Sequence, residues 1–321
     1  MCGGSVHTVR PRTFCGWCAL SAGYIPCLIA VGLIALNVLP FHLCFLPMLH
    51  AACVVGNASI FYYYYSIVIM VFAEIMVYGN LYWAIFTPPD FVPHEPWAEA
   101  PVYQGRAVSE NPYEVFDLDR TGKLRYCGAC RQFKPDQAHH CHMCHRCVYR
   151  MDHHCPWINN CVGRGNCKYF LLFVGYIPVG AFHIVLSTLY SCVFHFPDFF
   201  GQAMTEEKIF SSLIVILSMV FSTAMGLCFL AFAMHFVCMA YQGQTSVSRM
   251  IASKKQADEL EQQRKRAAED RLFYMFDLFG ADQRWSRMLL PFKPDHDVRR
   301  APPGYAKRFG GSVDEYIVSL V

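Results

Sequence analysis

Between Arg12 and Glu74 the sequence contains no Asp, Glu, Lys or Arg. A helix that crosses a bilayer needs about 20 consecutive apolar residues, so this stretch is too long for one crossing. Pro40, His42, Pro47, His50 and Asn57 mark where it is expected to turn back, giving spans near 20–42 and 59–86. Two more uncharged runs, near 169–194 and 210–240, are each long enough to cross. Only 16% of the residues are charged, against about a quarter in soluble domains, and 55% are apolar. This composition excludes an ordinary soluble enzyme and wholesale disorder. A net charge of +3 gives no case for nucleic acid as a partner. The expected fold is an all-α membrane protein with four transmembrane helices and a cysteine-rich domain between helices 2 and 3.

Lys and Arg placement sets the expected topology. Of 27 basic residues, only Lys208 falls in a loop between paired spans; the rest lie in the two tails and the central segment. The positive-inside tendency makes that shared face cytosolic. The chain then divides into a cytosolic N-terminus (1–19), helices 1 and 2 (20–86), a cytosolic region (87–168, with the cysteine-rich domain at 122–168), helices 3 and 4 (169–240) and a cytosolic tail (241–321). No cleavable signal peptide is expected. Cys15-Gly-Trp-Cys18 lacks the βαβ setting of a redox pair and reads as two thiols near a membrane entry. Glu74, inside the second span, is either a functional acid or part of a polar seam with Tyr78 or Asn80.

Eight of the 17 Cys and six of the 14 His lie between Cys127 and Cys167. Cys mixed with His at short spacings points to metal rather than to a disulfide framework, and to a reducing compartment. Cys127, Cys130, His140 and Cys147 follow C-x2-C-x9-H-x6-C, and Cys141, Cys144, His154 and Cys161 repeat it fourteen residues later. Each set supplies three thiolates and one imidazole, a closed tetrahedral Zn²⁺ site with no open position for substrate. Two structural zinc ions would replace the core that this short polar segment lacks.

A third shift of fourteen residues begins at Cys155, but the partner positions hold Ile158 and Lys168. Cys155 has no metal set of its own and follows Asp152-His153-His154. His154 is claimed by zinc; His153 is not. A spare thiol beside a spare imidazole is the arrangement of a nucleophile and its base, and Asp152 is placed to orient that base. The plainer alternatives are that Cys155 replaces one of the eight ligands or is inert. Cys167 is also spare, and an inert thiol is the preferred reading there.

The run from Cys127 through Asp152-His153-His154-Cys155-Pro156-Trp157-Ile158-Asn159-Asn160-Cys161-Val162-Gly163 to Asn166 and Phe170 resembles the DHHC cysteine-rich domain of protein S-acyltransferases, the palmitoyltransferases. The resemblance covers about 122–170 and extends in outline to the four spans. It implies that Cys155 takes a long-chain acyl group, such as palmitoyl, from acyl-CoA as a thioester and passes it to a membrane-proximal cysteine of a protein substrate. His153 is then the base, Asp152 its orienting group, and the eight residues named above the zinc ligands. Membrane lipid, acyl-CoA and protein substrates are the implied partners. The implied location is an endomembrane (Golgi or endoplasmic reticulum) or the plasma membrane, with the site facing the cytosol. An apolar hollow between spans would take the tail, with Gly175 and Gly180 leaving room. Arg125, Arg131, Lys134, Arg146, Arg150, Arg164 and Lys168 are candidates to meet CoA phosphates, although more of them are expected to be solvated or lipid-facing.

Two segments depart from the family pattern. Thr87-Pro88-Pro89-Asp90 stands where Asp-Pro-Gly is usual, and Thr245-Ser246-Val247-Ser248 where Thr-Thr-x-Glu is usual. The second departure keeps open a catalytically silent zinc-bearing membrane scaffold. A thiol redox protein is a third reading, weakened because Cys161 is claimed by zinc. In the tail, 249–272 reads as a charged helix. The aromatic stretch from Leu272 to Phe292, including Phe273, Tyr274, Phe276 and Trp285, reads as lying on the bilayer or packing on the spans. Residues 293–311 read as a linker, and Ser319-Leu320-Val321 suits a PDZ-type partner.

Overall fold

The computed structural model describes residues 22–106, 109–119, 121–195, 206–252, 270–281, 284, 288–294, 301–303 and 305. Arg10, Arg12, Cys15, Cys18, Trp285, most of the charged stretch in the tail and the Ser319-Leu320-Val321 motif lie outside them.

Four helical stretches are long and apolar enough to cross a membrane: Ile25–Val55, Ile60–Phe86, Cys167–Phe194 and Ile209–Tyr241. At 1.5 Å per residue, even the shortest, at 27 residues, extends about 40 Å against a hydrocarbon core of about 30 Å. This is a multi-pass membrane protein, mostly helical, with the cysteine-rich region between the second and third spans.

The first span is longer than its prolines suggest. Helix α1 (Ile25–Pro40) runs into a π-turn (Phe41–Phe45) and on into α2 (Leu46–Val55). Pro40 offers no N–H, and the next turn widens so that the Leu46 N–H reaches Phe41 O. Pro47 sits in the first turn of α2, where its missing donor costs nothing. The expected turn near residue 42 is therefore absent. The chain turns at Gly56 (φ 86°), where the Gly56 and Asn57 N–H groups close on Cys53 O and Ala52 O. Helix α3 (Ile60–Phe86) is the second span.

Two compact units divide the chain. One comprises residues 27–81 and 171–235, drawn from all four spans. It is turned inside out relative to a soluble protein: Leu28 (70%) and Phe61 (82%) are exposed, as lipid-facing residues must be, while Asn37, Ser66, His183 and Ser222 are buried. The buried polar groups pair across helices, since no water is available to satisfy them. Ser222 Oγ donates to Asn37 Oδ1 (2.6 Å), and His183 Nε2 donates to Ser66 O (3.1 Å). Glu74 pairs with His42 Nε2 (2.5 Å), on the π-turn, rather than with Tyr78 or Asn80. Glu74, Asn37, Ala73 and Gly180 share a small hollow at mid-span; Gly175 does not line it.

The other unit holds the described residues of 22–26, 82–170 and 236–305. Its centre is three two-stranded antiparallel hairpins: β1 (Tyr126–Cys127) with β2 (Gln132–Phe133), β3 (His139–Cys141) with β4 (Arg146–Val148), and β5 (His153–Cys155) with β6 (Asn160–Val162). After β6 comes helix α4 (Cys167–Phe194), then α5 (Glu206–Tyr241), a short α6 (Ser246–Ala252) and a final helix, α7 (270–279).

α7 packs on the cysteine-rich region. Phe273 and Phe276 form a small core with Tyr305. Asp277 pairs with Arg150 Nε (2.6 Å) and accepts from the Tyr305 hydroxyl. Tyr274 OH lies 3.5 Å from Cys167 Sγ, so Cys167 is a buried thiol with a tail partner. Phe273, Tyr274 and Phe276 are thus core residues rather than a bilayer-surface stripe, whereas Phe292 is exposed.

Candidate active site

The three hairpins are one backbone pattern used three times. β1, β3 and β5 each end on a cysteine: Cys127, Cys141 and Cys155. Three residues later stand Cys130, Cys144 and Ile158. The next residue is left-handed in each: Arg131 (φ 55°), His145 (φ 56°) and Asn159 (φ 47°). Non-glycine residues seldom adopt this conformation, so three occurrences at one position mark a shared turn. In the first two turns the backbone N–H of the second cysteine points at the first sulfur, Cys130 N to Cys127 Sγ (3.4 Å) and Cys144 N to Cys141 Sγ (3.3 Å).

Strand pairing then assembles two donor sets. His140 lies opposite Cys147, and His154 opposite Cys161. Within the sets Cys127, Cys130, His140, Cys147 and Cys141, Cys144, His154, Cys161, every donor atom lies within 4.8 Å of the others. The sulfurs of Cys127, Cys130 and Cys147 are 3.5, 3.3 and 4.0 Å from His140 Nδ1. Those of Cys141, Cys144 and Cys161 are 3.6, 3.5 and 3.6 Å from His154 Nδ1. A tetrahedral ion with Zn–S of about 2.3 Å and Zn–N of about 2.1 Å holds its donors roughly 3.6–3.8 Å apart. Both sets fit a zinc ion. Without a cation the thiols of each set divide: burial pushes Cys147 up and hydrogen bonds to Cys141 and Cys144 push Cys161 up, while hydrogen bonds from their neighbours hold Cys141 and Cys127 down. A cation between the sulfurs favours thiolate throughout each set.

The third hairpin has no such set. Ile158 is fully buried at the place of the second cysteine. Cys155 is buried and belongs to neither cluster. It hydrogen-bonds His153, and His153 Nδ1 is 2.8 Å from Asp152 Oδ2. Burial works against charge on His153, but the hydrogen bonds to Asp152 and Cys155 outweigh it and raise its pKa from 6.5 to about 9. Phe170 and Phe236 flank the ring at centroid distances of 5.4 and 5.9 Å.

Asp152 is held from a quarter the sequence left in doubt. Ser246 donates to it twice, from the backbone N–H to Oδ1 (2.5 Å) and from Oγ to Oδ2 (3.2 Å). The altered segment makes this possible. Ser248 N donates to Thr245 Oγ1 (3.1 Å) and Ser248 Oγ accepts from Thr245 N (2.8 Å). That is a reciprocal capping box at the start of α6, with Ser248 where Glu or Gln is usual. The Ser246 N–H, in the first turn and without an intrahelical acceptor, is left for Asp152.

The frame around the hairpins explains other motif residues. Asn160 Nδ2 donates to Ala84 O, Ile85 O and Thr87 O, satisfying carbonyls at the end of α3. Asn166 Nδ2 bonds Cys161 O (2.8 Å). A Cβ at Gly163 or Gly165 would meet the carbonyls of Pro89 or Pro88 at 2.5 or 2.4 Å, so the Thr87–Asp90 segment demands glycine opposite it. Asp90 pairs with Arg164. Of the basic residues proposed for CoA phosphates, Arg150, Arg164 and Lys168 are buried, engaged by Asp277, Asp90 and Phe292 O respectively. Arg125 is engaged by the carbonyls of Pro135 and Ala138. Arg131 and Arg146 are exposed.

Residues 120–253 match a family model described as DHHC palmitoyltransferase. The chain is 30% identical over 180 residues to a probable protein S-acyltransferase 12 of Arabidopsis thaliana, covering 55% of this chain and 58% of that protein. It is 35% identical over 165 residues to palmitoyltransferase pfa3 of Aspergillus fumigatus (51% and 29%). It is 38% identical over 138 residues to palmitoyltransferase ZDHHC3-A of Danio rerio (40% and 42%). The matched stretch thus spans between 29% and 58% of the length of these relatives. Over residues 120–253, the stretch that contains the hairpins and the paired donor sets, the chain is thus similar to the DHHC palmitoyltransferase family.

Proposed function

We propose that this chain is a protein S-acyltransferase working in two steps through Cys155. The observation that carries the reading is a buried sulfur outside both metal sets and hydrogen-bonded to His153, whose Nδ1 is engaged by Asp152. In the first step Cys155 Sγ attacks the carbonyl carbon of a long-chain acyl-CoA, palmitoyl-CoA being the favoured donor. A C–S bond forms to Cys155, the bond to the CoA sulfur breaks, and His153 gives its proton to the departing thiolate. In the second, a cysteine thiol of a membrane-associated protein yields its proton to His153 and attacks the Cys155 thioester. The acyl group moves and Cys155 is released as thiolate. Asp152 keeps the imidazole in one orientation and stabilises its cation.

Zinc in the two donor sets would fix the backbone on either side of Cys155 and take no part in either step. The basic residues flanking the spans support a cytosolic placement of the site, where acyl-CoA is met. The two hydrogen bonds from Ser246 to Asp152 weigh against the scaffold reading, which drew on the altered 245–248 segment.

The test is incubation of the purified full chain with labelled palmitoyl-CoA. A hydroxylamine-sensitive adduct is expected on wild type and none on Cys155→Ser, with two metals per chain in both. An unchanged adduct on Cys155→Ser overturns the assignment of the nucleophile. A metal-replete wild type that takes up no label favours the scaffold.

A further inference from the structure

The last turns of the fourth span pack beside the His153–Asp152 pair. Phe236, three residues before Met239, is buried with it near the end of α5. The Phe236 ring lies 5.9 Å from the His153 ring at an interplanar angle of 36°, and 5.3 Å from Phe170, which meets it edge-on at 79°. Phe170 in turn meets His153 edge-on at 73°. The three rings form a closed triangle, so the imidazole cannot swing toward Phe170 or Phe236 without displacing an aromatic ring. Met239 Sδ lies 3.8 Å from Ser246 Oγ, the hydroxyl that donates to Asp152. One face of α5 therefore buttresses both the imidazole and the hydroxyl that holds its carboxylate.

We propose that Phe236 is a positioning residue for acyl transfer, acting through His153 and touching neither the reacting atoms nor the metals. The inference rests on the proposed function and adds a determinant outside the 127–170 motif. Hydrogen bonds to Asp152 and Cys155 hold the edges of the ring but leave it free to tilt about the line between those partners. Packing against the Phe170 and Phe236 rings restricts the tilt. Loss of the ring should thus lower the rate of the chemical step and leave donor binding alone, because misplacement of a base acts on the transition state.

The experiment compares pre-steady-state loading of palmitoyl-CoA on full-length wild type, Phe236→Leu, Phe236→Met, Phe236→Tyr and Val237→Ala, with metal content measured on each. Val237 is the exposed neighbour on the same turn. The expected result is loading about tenfold slower for Leu and Met at unchanged half-saturation for the donor, recovery to within about threefold of wild type for Tyr, and no change for Val237→Ala. Met keeps the bulk without the ring, so it decides the matter if Leu loses metal. Wild-type loading rates in Leu or Met, or a change in half-saturation with the maximal rate intact, overturn the assignment. Failure of wild type itself to load strikes the proposed function instead, and separates the two.

Discussion

The second and third hairpins of the cysteine-rich region share a backbone and differ in what they do with it. β3–β4 ends its first strand on Cys141, sends Cys144 to the same metal set and turns through a left-handed His145. β5–β6 ends its first strand on Cys155, buries Ile158 at the matching place and turns through a left-handed Asn159. One knuckle places its first sulfur in a set of four metal-capable donors; the other leaves it outside both sets. The third hairpin does not stand alone, because its paired residues His154 and Cys161 complete the metal set begun by Cys141 and Cys144. A spare sulfur thus sits in a hairpin whose other residues complete a donor set that fits a metal, and an isoleucine is packed where the other hairpins have a second cysteine.

The largest break of this comparison is removal of the metals. Structural zinc contributes about 10–16 kcal/mol of apparent binding energy per site in small zinc domains. Chelation is expected to unfold all three hairpins together, read as loss of amide protection across 126–162, while the spans remain helical by circular dichroism. Protection of β5–β6 after complete metal removal would mean that the third hairpin is held by packing alone.

A smaller effect tests the packing half. Ile158→Ala empties a fully buried site and should cost about 2–5 kcal/mol. The cost should be seen in thermal unfolding of the metal-replete protein, with metal content unchanged. If the variant loses metal before it loses stability, Ile158 supports the donor set rather than the turn.

The smallest expected effect concerns the carboxylate. Ser246→Ala removes the Oγ bond to Asp152 and leaves the backbone bond from the same residue. A hydrogen bond to a charged group is worth about 1.5–3 kcal/mol, and partial retention through the backbone should limit the loss to about three- to tenfold in Cys155 acyl loading. Ser248→Ala, which opens the capping box but keeps Ser246, should lose less. The reverse order would mean that the cap, not the hydroxyl, holds Asp152 in place.

The sequence was legible where chemistry repeats at fixed spacing or where charge is absent over long runs. The fourteen-residue shift separated eight ligands from Cys155, because sulfur and imidazole spacing in a knuckle is set by a local turn. The uncharged runs gave four spans, because a bilayer core excludes charge whatever the packing. Pro40 misled, since a π-turn absorbs its missing donor within the helix. The 245–248 segment was only half legible: the absence of Glu was visible, while Ser248 closing the cap in its place was not.

What the sequence by itself determined is the inventory: four crossings, two sets of four donors and one thiol beside one imidazole. What only the tertiary structure decided is who meets whom over long separations. Glu74 with His42, Asp152 with Ser246, His153 with Phe236 and Arg150 with Asp277 are pairs separated by between 32 and 127 residues. Local spacing fixes ligands because a turn brings them together before the rest of the chain arrives. Partners contributed by different helices depend on how those helices pack, and no spacing rule carries that information.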